Sequence, residues 1–307
     1  MSLPIHSSIS DVERDTGLAK ETLRVWERRY GFPLPERDQF GDRMYPPEQV
    51  ARLHMVKRLI DLGYRPGKLI QMEDDALRQL ASQGAQQLQA NADGPSKQAL
   101  EVVSVCKAHD VAKLRQILHQ ELNARGVERF IVDFVGPVTS TLGACWASGT
   151  LAVFEEHLFT EALQSVLRTV IHSMPAPRTT PAPSVVLTTF PQERHGLGLL
   201  MAEAMFTAHG ARCLSLGTQT PVAEIAAAAV AFPADVVALS FSSSMHPRHI
   251  ADGIHDLRKR LPPAVMIWAG GAHARFARRA DNSVRLLELD AVGASLAAWR
   301  KGILVAA

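Results

Sequence analysis

SVVLTTFPQERHGLG, residues 184–198, is the stretch that decides the fold of the C-terminal half. A short apolar run ends in a loop that carries Glu193 and His195, and Gly198 follows where a helix is expected. Ala-rich helical stretches separate this run from three others of the same kind, ARCLSLG, ADVVALSFS and AVMIWAGG. Short buried strands that alternate with helices predict a parallel sheet with helices on both faces.

The loop after the first predicted strand has the composition of a ligand site. Ligands of open parallel sheets bind at the carboxyl ends of the strands, where Glu193 and His195 are expected. A neutral imidazole can bind a metal, and a nearby carboxylate can accept the other ring N–H and so fix the tautomer. Gly198 allows a large ligand to approach the backbone. Taken alone, His195 is more simply a solvated loop residue, but Ser240 and the pair Gly270-Gly271 follow later strands in the same way.

The 307 residues suffice for two or three compact units. Composition and periodicity predict five segments: an Arg- and aromatic-rich helical region, a Gln/Ala/Asn-rich linker, four packed helices, a stiff Pro-rich connector and the α/β region. Their boundaries are expected at residues 1–73, 74–97, 98–173, 174–183 and 184–307.

Net charge, cysteine content and the distribution of apolar residues exclude few classes of protein. The formal charge of +2, from 33 basic and 31 acidic residues, argues neither for nor against nucleic-acid binding. Three scattered cysteines form no disulfide framework and fit a reducing cytosol. The first residues turn polar too early for a signal peptide, and no apolar run is long enough to span a bilayer. We expect a cytoplasmic protein.

The N-terminal segment has the pattern of a DNA-reading domain. A first helix is expected near Ser10, where Ser10 and Glu13 have the spacing of a capping box. On a second helix, expected from about Lys20 to Tyr30, Arg24 continues a basic stripe that starts at Lys20, and a short cationic helix after a tight turn is the form of a major-groove reader. The Gly/Pro-rich stretch that follows is expected to form a small wing. The alternative is a charged surface on a small helical domain.

The ordered string TLRVWERRYGFPLPERDQFGDRMY, residues 22–45, together with the helix after it and Leu62-Gly63-Tyr64, closely resembles the MerR family of winged-helix regulators. The resemblance covers roughly the first 73 residues. Ala19 departs from it, because a Ser or Thr N-cap is usual there, and the change removes about 1 kcal/mol of helix stability. MerR proteins bind DNA as dimers through a coiled coil, but here the helix after residue 70 is short. The resemblance implies DNA contacts by Thr22, Arg24, Arg28, Arg37, Arg43 and Tyr45.

The C-terminal set of Glu193, His195, Ser240 and the Gly pair resembles the cobalamin-binding fold of methionine synthase and its relatives, across residues 184–307. The resemblance implies that His195 is the lower axial ligand of cobalt, supported by Glu193 and Ser240. It also implies that the base tail of the cofactor runs into the sheet past Gly198, Ser240, Ser242, Gly270 and Gly271.

The helical segment carries a third motif. Trp146 is followed, after nine intervening residues, by Glu156 and His157. In an isolated bundle these would be a core tryptophan and a surface pair. The spacing resembles the adenosyl-pocket motif of the CarH/LitR-type light-dependent regulators, and the three modules occur in that family's order.

This last resemblance implies a multidomain fold of a winged helix-turn-helix, a four-helix bundle and a Rossmann-like (flavodoxin-like) sheet. It implies a repressor and photoreceptor with no enzymatic activity, which binds adenosylcobalamin and assembles as a tetramer on double-stranded operator DNA in the dark. Light then breaks the cobalt–carbon bond and ends repression. Ala147 stands where family members carry a His that captures the upper face of cobalt after photolysis.

Two alternatives remain open at this point. A regulator that senses cobalamin level, redox state or another chromophore, without the photochemical step, is compatible with Ala147. A corrinoid methyl carrier also joins a helical bundle to a cobalamin-binding sheet, but it has no use for the Arg-rich winged helix of residues 1–73.

Overall fold

The computed structural model describes part of the chain, namely residues 6–61, 64–80, 96–175 and 181–303. The predicted Leu62-Gly63 pair, most of the first predicted linker and half of the second lie outside these ranges. The chain forms two compact units, each of which takes residues from two stretches of sequence. The predicted bundle of residues 98–173 is divided between them: the first unit is Met1–Pro95 with Ser140–Val153, and the second is Ser96–Thr139 with Phe154–Ala307.

The N-terminal part of the first unit is a winged helix, as the sequence predicts. Three short antiparallel strands lie in the order β1-β3-β2, and β2 and β3 form the wing. The strands are β1 Ser7–Ser8, β2 Glu36–Arg37 and β3 Arg43–Tyr45. The helices are α1 Ile9–Thr16, α2 Lys20–Tyr30, α3 Pro47–Asp61 and α4 Pro66–Leu69.

The first helix begins two residues before the predicted position. Ser8, in an extended conformation, caps α1: its Oγ accepts from the backbone N–H of Asp11 at 3.2 Å, and Asp11 Oδ2 accepts from the N–H of Ser8 at 3.1 Å. The prediction of a box between Ser10 and Glu13 was therefore wrong. Glu13 serves the next helix instead, because its Oε1 accepts from the N–H of Lys20 at 3.0 Å and satisfies a donor that Ala19 leaves uncapped.

Apolar side chains from the four helices and from β3 meet in one core. Leu23 and Trp26 of α2 point into it, as predicted, and Tyr30 packs against its edge. The burial of one face of α2 leaves the opposite face exposed to solvent. Other fully buried members are Val12, Tyr45, Leu53, Val56 and Leu59.

The helical segment follows the predicted breaks. Its helices are α5 Lys97–Lys107, α6 Val111–Arg129, a π-helix Phe130–Val135, α7 Gly136–Ala147 and α8 Val153–Ser173. Gly126 interrupts α6 with a φ of 74°, a left-handed value that favours glycine. The helix α7 contributes residues to both units.

The C-terminal sheet is parallel and has the order β5-β4-β6-β7-β8, which is the flavodoxin-like arrangement. Its first four strands are the four predicted runs, and the two-residue strand β8 completes it. The strands are β4 Ser184–Thr188, β5 Arg212–Gly217, β6 Val236–Ser240, β7 Met266–Gly270 and β8 Arg285–Leu286. The helices are α9 Leu197–Ala208, α10 Val222–Ala231, α11 Pro247–Arg260, α12 Ala274–Ala280 and α13 Val292–Arg300.

The register of the strands places the site. Ser240, the last residue of β6, lies opposite Gly270, the last residue of β7. The loop after β4 rises from the same edge, so the polar and glycine residues that the sequence singled out lie together there. Among the described helices, none is both long and apolar enough to cross a membrane.

Candidate functional site

The loop after β4 forms a closed hydrogen-bonded cluster. The side chain of Glu193 is almost fully buried, with 1% exposed, whereas 57% of the His195 side chain is exposed. One carboxylate oxygen of Glu193 accepts from His195 Nδ1 at 2.6 Å and from the His195 backbone N–H at 3.0 Å. The other accepts from the backbone N–H of Ser242 at 2.8 Å. Glu193 therefore holds both the imidazole and the loop after β6.

The electrostatics of this cluster determine the ionisation of Glu193 and the position of the hydrogen on His195. Burial by itself raises the pKa of Glu193, but hydrogen bonds from His195 and Ser242 outweigh it and hold the pKa at about 2. An ionised carboxylate only accepts hydrogen bonds, so Nδ1 of His195 carries the hydrogen, and in the neutral ring the lone pair is on Nε2. A ring oriented in this way is suited to bind a metal through Nε2.

The serine that supports His195 is not the expected one. The sequence assigned Ser240 to this role, but Ser242 Oγ lies 3.1 Å from His195 Nδ1. Ser240 ends β6 and lines a separate cavity. The difference arises because the loop after β6 turns back over Glu193, which brings the backbone and the hydroxyl of Ser242 to the cluster.

A narrow cavity of about 180 Å³ extends from the same edge between the sheet and α9. Four predicted residues line it, namely Gly198, Ser240, Gly270 and Gly271. Its walls are mostly apolar and include Phe206 and Trp268, whose ring centroids are 6.0 Å apart. The size and lining suit a flat aromatic group.

The glycines keep this cavity open. A Cβ on Gly198 would lie 3.2 Å from Ser240 Oγ, and one on Gly270 would lie 3.0 Å from the Leu287 carbonyl oxygen. Gly271 has a φ of +93°, and a Cβ there would lie 2.5 Å from the Phe241 carbonyl oxygen. Side chains at these positions would close the mouth of the cavity or displace its backbone.

Trp268 is a site residue that the sequence analysis missed. It is 1% exposed, and its Nε1 is buried without a hydrogen-bond partner among the described residues. A buried donor of this kind is unfavourable until an acceptor arrives, and Trp268 lines the cavity. A signal was present in the sequence: Trp268 precedes Gly270 by two residues on a strand, so both face the same side.

Glu156 and His157 form a second polar group, on the first turn of α8. His157 Nδ1 lies 2.8 Å from Glu156 Oε2, and Thr160 Oγ1 donates to Glu156 Oε1 at 2.6 Å. His157 is 67% exposed. The third residue of this motif, Trp146, belongs to the first unit and packs there beside Arg58, with the guanidinium carbon 5.2 Å from the ring centroid.

The predicted DNA-contacting residues on α2 lie on its solvent face. Arg24 and Arg28 are exposed and Thr22 is partly exposed. Arg24 pairs with Glu21, whereas Arg28 forms no ion pair with any described residue. This face presents positive charge to solvent in the manner of a helix that contacts phosphates.

The wing residues are held more tightly than expected. Arg37 is exposed and donates to the Gly41 carbonyl at 2.8 Å. Arg43 is 25% exposed and makes a two-pronged ion pair with Glu27, at 2.7 and 3.3 Å. Tyr45 is fully buried, and burial raises the pKa of its phenol. Tyr45 therefore has no surface with which to contact DNA in this conformation, which corrects the expectation for that residue: its ring fills the core beneath the wing.

An exposed cationic helix beside a wing, and a parallel sheet with an oriented imidazole and a glycine-lined cavity, define a DNA-binding regulator with a ligand-binding domain. Family models agree with this class. Residues 7–75 match the MerR HTH family regulatory protein model, and residues 101–171 and 183–293 match two B12 binding domain models.

Two relatives span most of the chain. The HTH-type transcriptional repressor CarH of Myxococcus xanthus is 32% identical over 264 residues, which cover 84% of this chain and 86% of that protein. The HTH-type transcriptional repressor CarA of the same organism is 29% identical over 269 residues, 87% of each chain. This chain belongs to the CarH family of MerR-type transcriptional regulators that bind cobalamin.

A solved structure matches the fold of the ligand-binding part. The monomethylamine corrinoid protein of Methanosarcina barkeri superimposes with a TM-score of 0.52 at 16% identity and covers 64% of this chain and 95% of that one. The likeness concerns the fold. The winged helix and the repressor relatives make this chain a regulator rather than an enzyme.

Proposed function

We propose that this chain is a light-responsive repressor that holds its operator as an oligomer, a tetramer, when adenosylcobalamin is bound in the dark. The observation that carries the proposal is the cluster in which Glu193 and Ser242 orient His195. When bound, the cofactor supplies a cobalt–carbon bond that light can break. The residues of the chain would bind the cofactor, orient it and respond to the loss of its adenosyl group.

His195 would hold cobalt from below through Nε2. Glu193 stays ionised, accepts the Nδ1 hydrogen and so raises the basicity of the ring. Gly198, Ser240, Gly270 and Gly271 would line the path of the base tail, because they surround a cavity of suitable width. Since a Cβ would narrow that cavity at three of these positions, the residues present fit a large planar group.

Glu156 and His157 would recognise the adenosyl group. Their side chains are hydrogen-bonded to each other and offer acceptors and a donor at the start of α8. Such a pair suits the hydroxyls of a sugar. Trp146, ten residues before Glu156, would cover the same side of the cofactor.

Thr22, Arg24, Arg28 and Arg37 would contact the operator, with Arg43 in reach once it leaves Glu27. Tyr45 is left out because it is buried. Each winged helix alone offers few phosphate contacts, so assembly of several copies would raise the avidity for DNA steeply. Loss of the adenosyl group would then lower DNA affinity by dispersing the oligomer.

The test is size-exclusion chromatography of the purified chain with adenosylcobalamin, in darkness and after green or blue light, alongside operator gel shifts. We expect a dark oligomer that binds DNA and a smaller, weakly binding species after illumination. Methylcobalamin is the control ligand, because it lacks the group that Glu156 and His157 would bind. The proposal would be contradicted if neither the oligomer size nor the DNA affinity changed on illumination.

One observation favours a second candidate, a regulator that responds to cobalamin itself. Position 147 is Ala, so this chain has no histidine next to Trp146. In that case cobalamin of either form should change oligomer size and DNA binding equally, in light and in darkness.

A further inference from the structure

His109 occupies the turn between α5 and α6 in a conformation that few side chains adopt. Its φ is 55°, in the left-handed region. Backbone hydrogen bonds hold the turn: the N–H of His109 donates to the Cys106 carbonyl at 3.0 Å, and the N–H of Asp110 donates to the Val105 carbonyl at 3.2 Å. Asp110 also caps α6, because its Oδ1 accepts from the N–H of Lys113 at 2.9 Å. Positions of this kind persist where the surrounding structure holds them, and they are common at functional sites.

The imidazole of His109 contacts the first turn of α8. Its Nε2 lies 3.3 Å from Glu155 Oε1, and its ring centroid lies 5.2 Å from that of Phe154. A carboxylate at this distance accepts a hydrogen bond from the ring N–H. The Glu155 side chain is 12% exposed, whereas 55% of the His109 side chain is exposed. All three residues belong to the second unit. One imidazole therefore holds two consecutive residues at the start of α8.

The direction of Glu155 sets the direction of the residues that follow it. Burial, followed by the charges of Glu155 and Glu156, raises the pKa of the Cys106 thiol on α5 to about 11. Glu155 is thus buried near α5, whereas His157, two residues later, is 67% exposed and lies 2.8 Å from Glu156. Consecutive residues of an α-helix are rotated by about 100° around its axis. A contact that fixes Glu155 therefore also fixes where Glu156 and His157 point.

We propose that His109 is a positioning residue that fixes the first turn of α8 and thereby sets the direction in which Glu156 and His157 meet the adenosyl group. The inference rests on the function proposed above, in which this pair recognises that group. His109 acts through Glu155 and is assigned no contact with the cofactor. Its loss should therefore weaken recognition of the adenosyl group and leave binding of the corrin unchanged.

Two substitutions separate the two contacts of the imidazole. His109→Phe keeps a ring beside Phe154 and removes the hydrogen-bond donor, whereas His109→Gln removes the ring and keeps a donor. We expect His109→Phe to bind adenosylcobalamin about 2- to 12-fold more weakly, the range that one hydrogen bond contributes, and to bind methylcobalamin as before. His109→Gln should recover most of the lost affinity. Both variants place a residue other than glycine at the left-handed position, and thermal melts measure any cost to folding.

Hydrogen–deuterium exchange of the full chain, without added cofactor, measures the positioning independently of cobalamin. In His109→Phe the amides of residues 157–161 should exchange faster, whereas those of β4 and β6 should not change. His119→Phe is the matched control, because His119 is exposed on α6, ten residues after His109. The control should alter neither the exchange nor the two affinities.

Unchanged exchange in His109→Phe would overturn the inference. Equal losses of affinity for adenosylcobalamin and methylcobalamin would also overturn it, because a residue that only supports the fold would weaken both. If the unmodified chain prefers adenosylcobalamin and His109→Phe keeps that preference, the inference fails and the proposed function stands. If the unmodified chain binds the two forms equally, the proposed recognition by Glu156 and His157 fails, and the inference fails with it.

Discussion

His195 and Trp146 are the two side chains assigned to opposite sides of the cobalamin, and their surroundings differ in kind. His195 belongs to a cluster in which each oxygen of the Glu193 carboxylate accepts a hydrogen bond and the ring nitrogen Nδ1 has two partners. Trp146 lies against the partly buried guanidinium of Arg58, which pairs with no carboxylate among the described residues. A fully satisfied polar cluster holds its side chains rigidly, whereas one cation–π contact contributes only about 0.5–2 kcal/mol. The hydrogen bonds of the chain therefore fix the orientation of His195, whereas a single cation–π contact holds Trp146.

The largest effect is expected from His195→Ala. The variant removes the proposed metal ligand at an exposed position, so the chain should fold normally and lose cobalamin on a desalting column, with affinity reduced by more than about 100-fold. Absorbance of the eluted protein measures retention. His255→Ala is the control, because that exposed ring bonds to the Ala280 carbonyl at the end of α12, away from the His195 cluster. Full retention by His195→Ala would contradict the proposal that His195 binds the metal.

Glu193→Gln should have the next largest effect. The amide keeps the shape of the side chain but lacks the charge that fixes the imidazole, so cobalamin affinity should fall by about 10- to 100-fold. The spectrum of the bound cofactor reports whether the ring still ligates cobalt. The exposed Glu224→Gln on α10 should change nothing. Equal affinity in both variants would mean that the ring needs no orientation.

Gly198→Ala should change folding stability and cobalamin affinity in opposite directions. Alanine is favoured over glycine inside a helix, so the free energy of unfolding should rise by up to about 1 kcal/mol. The added methyl group lies 3.2 Å from Ser240 Oγ at the cavity, so cobalamin affinity should fall roughly tenfold. Thermal melts and binding titrations measure the two quantities. Gly143→Ala on α7, where the added atom meets nothing within 4 Å, should raise stability by a similar amount and leave cobalamin affinity unchanged.

The smallest effects distinguish two residues of the DNA-binding domain. Arg28→Gln should lower the slope of log affinity against log salt by about 1, because an exposed cation that contacts a phosphate is lost. Tyr45→Phe should leave that slope unchanged. It should also preserve or slightly raise stability, since the buried hydroxyl has no hydrogen-bond partner among the described residues. A reduced slope for Tyr45→Phe would instead indicate that the Tyr45 hydroxyl contacts DNA.

The sequence predicted elements that follow a strong period and missed features set by loop geometry. Four of the five strands and the buried face of α2 were predictable, because their apolar residues recur at strand or helix spacing. The two-residue strand β8 was not, since two residues carry no period. Similarly, Ser242 rather than Ser240 meets His195 because of how one loop folds back, which no spacing encodes. The capping of α1 depended on which of two serines precedes the first turn in an extended conformation.

Three hydrogen atoms in place of side chains, at Gly198, Gly270 and Gly271, define the entrance beside Ser240. An alanine or serine codon arises from a glycine codon by few changes, and each would introduce an atom where the neighbouring groups leave little or no room. Lineages that stop using the cofactor should therefore lose these glycines early, while the winged helix stays intact. In related chains, the identity of these three positions can serve as a rapid indicator of whether the vitamin is still bound.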